Sequence, residues 1–245
     1  MRVATHQPTF LPWVGYYHKI MSSDLFVVMD KSQYVDRNYM NRVKLNGAWL
    51  TLPLRKASQK ARICDRYPVA GWNSTSGKIY RSIMQYAQSS KCLYPHRVHL
   101  IAKHLASLPE TLSLAEINMA MDDYILQVIY QIKRKNLLVM PNRVRMPSKV
   151  EGETPTARLI DLIEKSLPYP TTIDNLIGSA ACNQYYRFEE LPPWVDRTYV
   201  QVPANAHVIT ESILRVLGEI EDPYEYILDA MEWKQVTPEI DKTTK

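Results

Sequence analysis

The chain has 245 residues, enough to bury the core of one large domain or two small ones. Hydrophobic residues make up 46% and charged residues 22%, which is typical of a globular protein, and no apolar run approaches membrane-spanning length. The net charge is +5, and neither the Walker motif nor GxGxxG occurs among the seven glycines, which argues against a conventional P-loop or dinucleotide-binding site.

The N-terminal stretch is predicted to form one βαβ unit. Arg2–Thr5 has the pattern of a short strand, and the proline-punctuated segment Gln7–Pro12 follows it as a turn. Val14–Met21 can form two helical turns. Leu25–Met29 is a continuous apolar run, which is typical of a fully buried parallel strand.

The remaining elements are predicted from hydrophobic spacing and from residues that begin or end helices. Ser113 and Glu116 have the spacing of a capping box, and the apolar stripe Ile117–Ile132 follows them. Met140–Pro147 is predicted to be an extended connector. The other predicted elements are a strand at Gly47–Leu54 after an Asn-Gly turn, helices around Ile79–Tyr86, at His96–Leu108 and from Pro155, a strand at Tyr199–Val202, and helices near Glu211–Leu217 and Pro223–Met231.

This order of elements predicts an α/β protein with a small, mostly parallel sheet, a Rossmann-like N-terminal βαβ unit and a helical middle region. We expect a single α/β domain over residues 1–235, with the helical region at about 74–135, and a tail at 236–245. The small residues of Ile177–Ala181 would allow close backbone approach, for example to a ligand.

Cys64, Cys92 and Cys182 are widely separated and form no CxxC pair, so we interpret them as reduced thiols. The N-terminus also lacks the apolar region of a signal peptide. We therefore expect a cytoplasmic protein that does not insert into membranes. The three histidines of the His96–Leu108 segment have no nearby carboxylate in the sequence, and we predict no metal site there.

Charge is distributed unevenly along the chain. Lys31–Arg66 contains nine Lys/Arg and two Asp, and Lys133–Lys149 contains six Lys/Arg and no acidic residue. Glu189–Glu232 contains ten acidic residues and two Arg. The basic stretches indicate an anionic ligand, although the alternative is a solvated surface whose opposite patches pair with one another.

The candidate catalytic residues are His6, Asp30 and Lys19. Because ligands bind at the carboxyl ends of parallel strands, His6 is placed to act as a general base. Asp30 would orient His6 or hold Mg²⁺ with a nucleotide, and Lys19 would neutralise a phosphate. The alternatives are a histidine that supports the turn at Pro8, a polar residue at a strand end, and a solvated helix face.

The candidate substrate-binding residues have three kinds of chemistry. Arginine and lysine would bind phosphates, amides would read a nucleobase or carboxamide, and aromatic rings would stack on a base or sugar, although aromatics beside prolines also occur in cores. These residues are Gln7, Trp13, Tyr16, Gln33, Asn38, Asn41, Arg42 and Lys44. The basic stretches also interleave with Tyr34, Tyr39, Trp49, Tyr67 and Trp72, a pattern compatible with recognition of single-stranded nucleic acid.

The N-terminal motif resembles the WbqC-like protein family. The matching pattern is HQPTFLPWVGYYHKI at His6–Ile20, then SDLFVVMD at Ser23–Asp30, NRVK at Asn41–Lys44 and WLTLPL at Trp49–Leu54. Weaker likeness continues in order along nearly the whole chain. Genes of this family occur in bacterial surface-polysaccharide clusters, including some whose sugars carry an amide-linked glycyl group, and in phage genomes. The resemblance implies transfer of an amino acid or related acyl group.

A looser resemblance links the βαβ unit to nucleotidylyltransferases and pantothenate synthetases. It is carried by Phe10, Pro12, Gly15 and Tyr16, followed by the buried strand Leu25–Met29. Those enzymes bind ATP with a Gly-His pair at the helix start, where this chain has Gly15-Tyr16 and a loop one residue shorter. This resemblance implies ATP and Mg²⁺ as candidate cofactors.

We therefore expect a transferase, or an amide or ester ligase, that installs a glycine-like amino acid or an acyl group. The acceptor would be anionic and nucleotide-linked, either a sugar nucleotide or a hypermodified base of phage DNA. The alternative is a non-catalytic nucleic-acid-binding protein.

Overall fold

The structure is a computed structural model that describes residues 1–134, 142–148, 151–166, 175–178, 191, 195–203 and 207–235. A six-stranded sheet lies at its centre. In chain order its strands are β1 (Arg2–His6), β2 (Leu25–Val28), β5 (Asn142–Arg145), β6 (Asn175–Gly178), β7 (Asp196–Gln201) and β8 (Glu232–Gln235). The spatial order is β5-β2-β1-β6-β7-β8, and all neighbours are parallel except β7 and β8.

A separate antiparallel hairpin consists of β3 (Arg42–Leu45) and β4 (Ala48–Thr51). Its turn contains Asn46 and Gly47, both with positive φ (49° and 81°), as two-residue hairpin turns of the Asn-Gly type require. The helices are α1 (Val14–Met21), α2 (Lys78–Ala87), α3 (Pro95–Ser107), α4 (Leu114–Ile132), α5 (Pro155–Ser166), α6 (Ile213–Glu219) and α7 (Pro223–Asp229).

Helices pack on both faces of the sheet, because side chains alternate along each strand. Ala4 and Phe26 belong to the larger core, which also contains buried residues of α1, α2, α3, α4, α6 and α7. Val3 and Leu25, on the opposite face, pack in a smaller core with Leu159 and other apolar residues of α5. The protein therefore has a mixed α/β fold with a small, mostly parallel sheet, as the sequence predicted.

The order of the strands defines a reversal point beside β1. The chain proceeds from β1 to β2 and β5 on one side, then returns to place β6 and β7 on the other side. In open parallel sheets the crevice at such a reversal, outside the carboxyl ends of the strands, is the usual ligand-binding position. His6 is the last residue of β1 and therefore lies at this crevice.

Several sequence predictions of elements are confirmed. Helix α1 has the predicted bounds, and β1 and β2 end within one residue of theirs. Both hydrogen bonds of the capping box at Ser113 and Glu116 are present. None of the helices in the described part of the chain is long and apolar enough to cross a membrane.

One element was predicted wrongly. Four residues of the proposed connector Met140–Pro147 form β5, which pairs with β2 in parallel register, Phe26 opposite Arg143. The segment carries two arginines, so its sequence lacks the apolar run of a buried parallel strand, and its pairing is a long-range contact. Strand β8 was not predicted, and the predicted tail at 236–245 lies outside the described residues.

The capping box gives a direct test of how α4 begins. Ser113→Ala removes the side-chain acceptor of the Glu116 backbone N–H, and we expect it to lower the free energy of unfolding by about 1 kcal/mol in urea titrations. Ser90→Ala, at an exposed position, is the control for loss of a serine hydroxyl. Equal stability of the two variants would contradict a capping role for Ser113.

Candidate functional site

A cavity of about 480 Å³ opens at the carboxyl end of β1, at the reversal point of the sheet. Its volume lies within the range of roughly 300 to 1,000 Å³ that is usual for small-molecule sites. Its walls combine the loop after β1, the segment before and within β3, and residues that follow β7, such as Val202. Six of the predicted site residues line it: His6, Gln7, Trp13, Tyr16, Asn38 and Lys44.

Three other predicted residues do not line this cavity. The buried Lys19 ammonium donates a hydrogen bond to the Thr5 carbonyl oxygen at 3.0 Å. Asp30 is fully buried and accepts hydrogen bonds from the guanidinium of Arg145. Gln33 is exposed, and its amide nitrogen donates to the carbonyl oxygen of Gln59 at 3.0 Å.

The remaining two predicted residues flank the cavity. The buried Asn41 amide donates to the Leu52 carbonyl oxygen at 2.9 Å and accepts a hydrogen bond from the Tyr34 hydroxyl at 3.0 Å. These bonds hold the end of the 38–41 segment against Leu52, the residue that follows β4. The Arg42 guanidinium lies over the indole ring of Trp49, 4.2 Å from the ring centre.

His6 is held as a neutral imidazole. Its Nδ1 lies 2.7 Å from the Gln7 carbonyl oxygen, and because a carbonyl only accepts, Nδ1 carries the proton and Nε2 is unprotonated. Burial, together with the nearby positive charge of Lys19, lowers the pKa of His6 from 6.5 to about 3, although the bond to Gln7 opposes the shift. His6 can therefore accept a hydrogen bond at neutral pH but is a weak base.

The wall behind His6 is fixed by a buried polar cluster. The ring of Tyr16 packs edge-on against His6, with 5.0 Å between ring centres. The Tyr16 hydroxyl donates to Asp122 at 2.7 Å, the Tyr17 hydroxyl donates to the same carboxylate at 3.1 Å, and Arg143 of β5 lies 3.6 Å from it. Tyr16 therefore offers its ring to the cavity, while its hydroxyl is bound on the far side.

Burial dominates the titration of this cluster. It raises the pKa of Asp122 to about 7, although the positive charge of Arg143 and the two tyrosine hydroxyls oppose the shift. Burial and the Asp122 charge also raise the pKa of Tyr16 and of Tyr17 well above 10. Both tyrosines are thus protonated donors, and Asp122 is the titratable member of the cluster near neutral pH.

The rim of the cavity is aromatic and positively charged. Tyr39 and Lys44 line the cavity, and Tyr39 is 54% exposed. The ring of Tyr39 lies 5.8 Å from that of Trp49, which is 42% exposed and contacts Arg42 on its face. Such a cation–aromatic contact restricts the guanidinium, and the exposed part of the Trp49 ring remains accessible to a planar ligand.

The start of α1 is covered by the protein itself. A Cβ atom added to Gly15 would lie 2.5 Å from the Trp13 ring, so this position requires glycine because the indole packs directly on the helix backbone. The looser resemblance would place ATP at this helix start. The residue after Gly15 is Tyr16, whose hydroxyl is already bound to Asp122.

Two residues of α4 that the sequence analysis did not select shape the site. The buried Asn118 amide donates to the carbonyl oxygens of Pro8 and Met40, at 3.2 and 2.8 Å, and so joins the two loops that line the cavity. Asn118 and Asp122 are four residues apart and adjoin the predicted apolar stripe, which places them on the buried face. Two polar residues on the predicted buried face of a helix were the signal in the sequence that could have identified them.

The second basic stretch is partly neutralised inside the protein. Arg143 forms ion pairs with Asp122 and Asp123, and Arg145 pairs with Asp30. The side chain of Arg145 remains 47% exposed, whereas that of Arg143 is only 12% exposed. Lys133, at the start of this stretch, pairs with Asp222 and Glu225 of the acidic stretch, so the pairing between opposite patches that we considered as the alternative to anion binding is present at that residue.

Comparison with known proteins identifies relatives of the chain. A profile of the WbqC-like protein family matches residues 7–167. The uncharacterized protein Rv1507c of Mycobacterium tuberculosis (strain ATCC 25618 / H37Rv) is 33% identical over 58 residues, which cover 22% of this chain and 25% of that protein. The match thus spans a quarter of that relative's length. No solved structure matches the chain significantly.

The pKa of Asp122 predicts a pH-dependent effect of its substitution. The folded protein binds a proton at Asp122 below about pH 7, and the unfolded chain does so only near 3.8, so the stability from this group is present at low pH and lost as the pH rises through 7. Asp122→Asn does not titrate. We expect its loss of unfolding free energy to be larger at pH 5 than at pH 8, by about 1 to 3 kcal/mol, in urea titrations.

Asp36→Asn, at an exposed position, is the matched control for removing a carboxylate. A loss of stability for Asp122→Asn that is the same at both pH values would show that Asp122 does not titrate in this range.

Proposed function

The chain belongs to the WbqC-like protein family, and from this premise we propose that it is a transferase. It would join an amino acid or a related acyl group to an anionic, nucleotide-linked acceptor. The family membership leaves the substrates open, so the proposal rests on the residues that line the cavity at the carboxyl end of β1, which we call the first cavity. The observation that carries it is a cavity at the reversal point of the sheet with a neutral interior, an unprotonated histidine nitrogen and a cationic rim.

His6 would act on the attacking group of the reaction. An amine or hydroxyl nucleophile that donates a hydrogen bond to Nε2 would be oriented by His6. As the nucleophile forms its new bond and the bond to the leaving group breaks, it would release its proton to Nε2. The bond between Nδ1 and the Gln7 carbonyl oxygen fixes the ring for this role. Because the pKa of His6 is low, the proton would pass on readily to solvent or to the leaving group.

The rim would hold the phosphate groups of the acceptor. Lys44 lines the cavity and is exposed, and Arg42 lies nearby against Trp49. Arginine and lysine side chains form charge-assisted hydrogen bonds with phosphate oxygens. Gln7 and Asn38, which also line the cavity, would read the uncharged part of the acceptor through their amides.

The residues present do not fit ATP with Mg²⁺ at the start of α1. The Trp13 indole packs on Gly15 there, and no described acidic residue lines the cavity, so the carboxylate ligands that Mg²⁺ prefers are missing from its wall. Asp30, the predicted ligand, is bound to Arg145 instead. We therefore propose that one of the two substrates arrives already activated, for example as a phosphate ester or anhydride.

Binding of the acceptor is the first part to test. We expect uridine diphosphate to stabilise the protein in thermal-shift titrations, and Lys44→Ala to weaken this binding about tenfold, because a cation at the rim is lost. Lys56→Ala removes an exposed lysine that does not line the cavity and should leave the affinity unchanged. Equal affinities of the two variants would contradict the assignment of the rim.

The proposed transfer of the amino acid is tested by detecting its product. Nucleotides that bind would be incubated with labelled glycine, with and without ATP and Mg²⁺, and the products analysed by mass spectrometry. We expect product in the absence of ATP only when one substrate carries the leaving group, for example labelled glycine supplied as its acyl phosphate, which releases phosphate as the new acyl bond forms. We expect a loss of at least tenfold in His6→Gln with nucleotide binding retained. Full turnover in His6→Gln would contradict the role of His6.

The exposed aromatic residues of the rim favour a second candidate, a non-catalytic nucleic-acid-binding protein. Tyr39 and Trp49 stand beside Arg42 and Lys44, the combination that stacks bases and neutralises phosphates in single-stranded nucleic acid. This candidate predicts binding of an oligodeoxynucleotide that weakens by decades between 50 and 200 mM salt, without product formation.

A further inference from the structure

A second cavity, of about 270 Å³, lies between the β3–β4 hairpin and α2. Asn46 lines it from the hairpin turn, Ser82 and Gln85 line it from α2, and Ser89 lines it from the turn after that helix. Trp49 contributes an aromatic wall. None of the described residues that line it carries a charge.

The polar groups of this wall have unused hydrogen-bonding capacity. The Ser89 hydroxyl oxygen is buried and has no hydrogen-bond partner among the described residues, although buried hydroxyls are nearly always paired. The Asn46 side-chain oxygen accepts a hydrogen bond from Lys91 at 3.2 Å, which leaves its amide nitrogen as a donor. Gln85 is exposed, and its amide can both donate and accept.

We propose that this second cavity binds an uncharged, hydroxyl-rich ring, such as a pyranose. Hydroxyl groups both donate and accept, so they match a wall of serine, asparagine and glutamine, whereas an apolar ligand would leave those groups unpaired. None of the described lining residues is a cation, and the nearby Lys91 ammonium is bound to Asn46, so the wall itself offers an anion no charged partner. The volume exceeds the roughly 30 Å³ that one water occupies, so a ring of several heavy atoms has room.

The two cavities adjoin through the aromatic rim. Trp49 lines the second cavity, and its cross-strand neighbour Lys44 lines the first. Tyr39, which also lines the first cavity, packs on the ring of Trp49. A role of the second cavity in holding a sugar that belongs to the acceptor rests on the proposed function, whereas binding of a free pyranose does not.

Saturation-transfer difference NMR on the full chain tests the proposal. The probes are methyl glucoside, methyl galactoside and N-acetylglucosamine at millimolar concentration. We expect transfer to the ring protons of at least one probe, and Gln85→Ala to weaken it several-fold. Gln88→Ala is the matched control, because it removes the same side chain from an exposed position three residues later that does not line the cavity.

Trp49→Ala is the second variant, and we expect it to weaken the transfer as well. Absence of transfer from all three probes, or the same effect in Gln85→Ala and Gln88→Ala, would overturn the proposal. Uridine diphosphate binding, measured on the same samples by calorimetry, separates the two hypotheses. If uridine diphosphate does not bind but saturation transfer to a pyranose is intact, only the proposed nucleotide site is refuted. If the nucleotide binds but no pyranose shows saturation transfer, only the proposed pyranose site in the second cavity is refuted.

Discussion

The buried carboxylate of Asp122 is the constraint on which the arrangement around the site depends. A charged group removed from water is stable only when it is paired and hydrogen-bonded. Its partners come from separate elements, since Tyr16 and Tyr17 belong to α1 and Arg143 belongs to β5. The pairing therefore fixes the packing of α1 and β5 against α4. It also fixes the ring of Tyr16 beside His6.

The loop after β1 keeps its shape only because distant parts of the chain hold it. Leu11 adopts φ +44°, in the left-handed region that costs a non-glycine residue roughly 1 to 2 kcal/mol. The Ser212 hydroxyl donates to the Leu11 carbonyl oxygen at 3.0 Å, and the Asn118 amide donates to that of Pro8. Phe10 donates its backbone N–H to Tyr39. Residues as far along the chain as Asn118 and Ser212 thus support a site whose lining comes mainly from the first 44 residues.

Local signals explain what the sequence predicted well. A proline turn, a continuous apolar run and a capping box each depend on neighbouring residues, and they located β1, α1, β2 and the start of α4. The strand Asn142–Arg145 depends instead on parallel pairing with β2 and on the ion pairs of its two arginines. The pairing with β2 and the Arg145–Asp30 ion pair join residues more than one hundred positions apart, and the Arg143–Asp122 pair joins two separate elements, so no local pattern reports them.

The candidate site shows the same difference between features that depend on local sequence and features that depend on distant contacts. His6 and Gln7 lie at the carboxyl edge of the sheet, where they line the cavity, and this position follows from the strand that precedes them. The position of a residue in the sequence does not predict that Asp30 pairs with Arg145, or that Lys19 binds the Thr5 carbonyl oxygen. Both contacts depend on residues that only the folded chain brings close.

The separation of charge within the first cavity bears on how a nucleotide-linked acceptor would bind. Among the described residues that line it, the cation is Lys44 at the rim, and the part near His6 and Gln7 is lined by uncharged groups. The Lys19 ammonium keeps its charge but does not line the cavity and donates to the Thr5 carbonyl oxygen, so a phosphate moved inward would lose its hydration without a cation in the described wall to contact. For the proposed function, the phosphates therefore remain at the rim and the uncharged end of the acceptor faces Nε2 of His6. The same argument explains the neutral imidazole, since a protonated His6 would be a half-buried charge beside the Lys19 ammonium, without a carboxylate partner among the described residues that line the cavity.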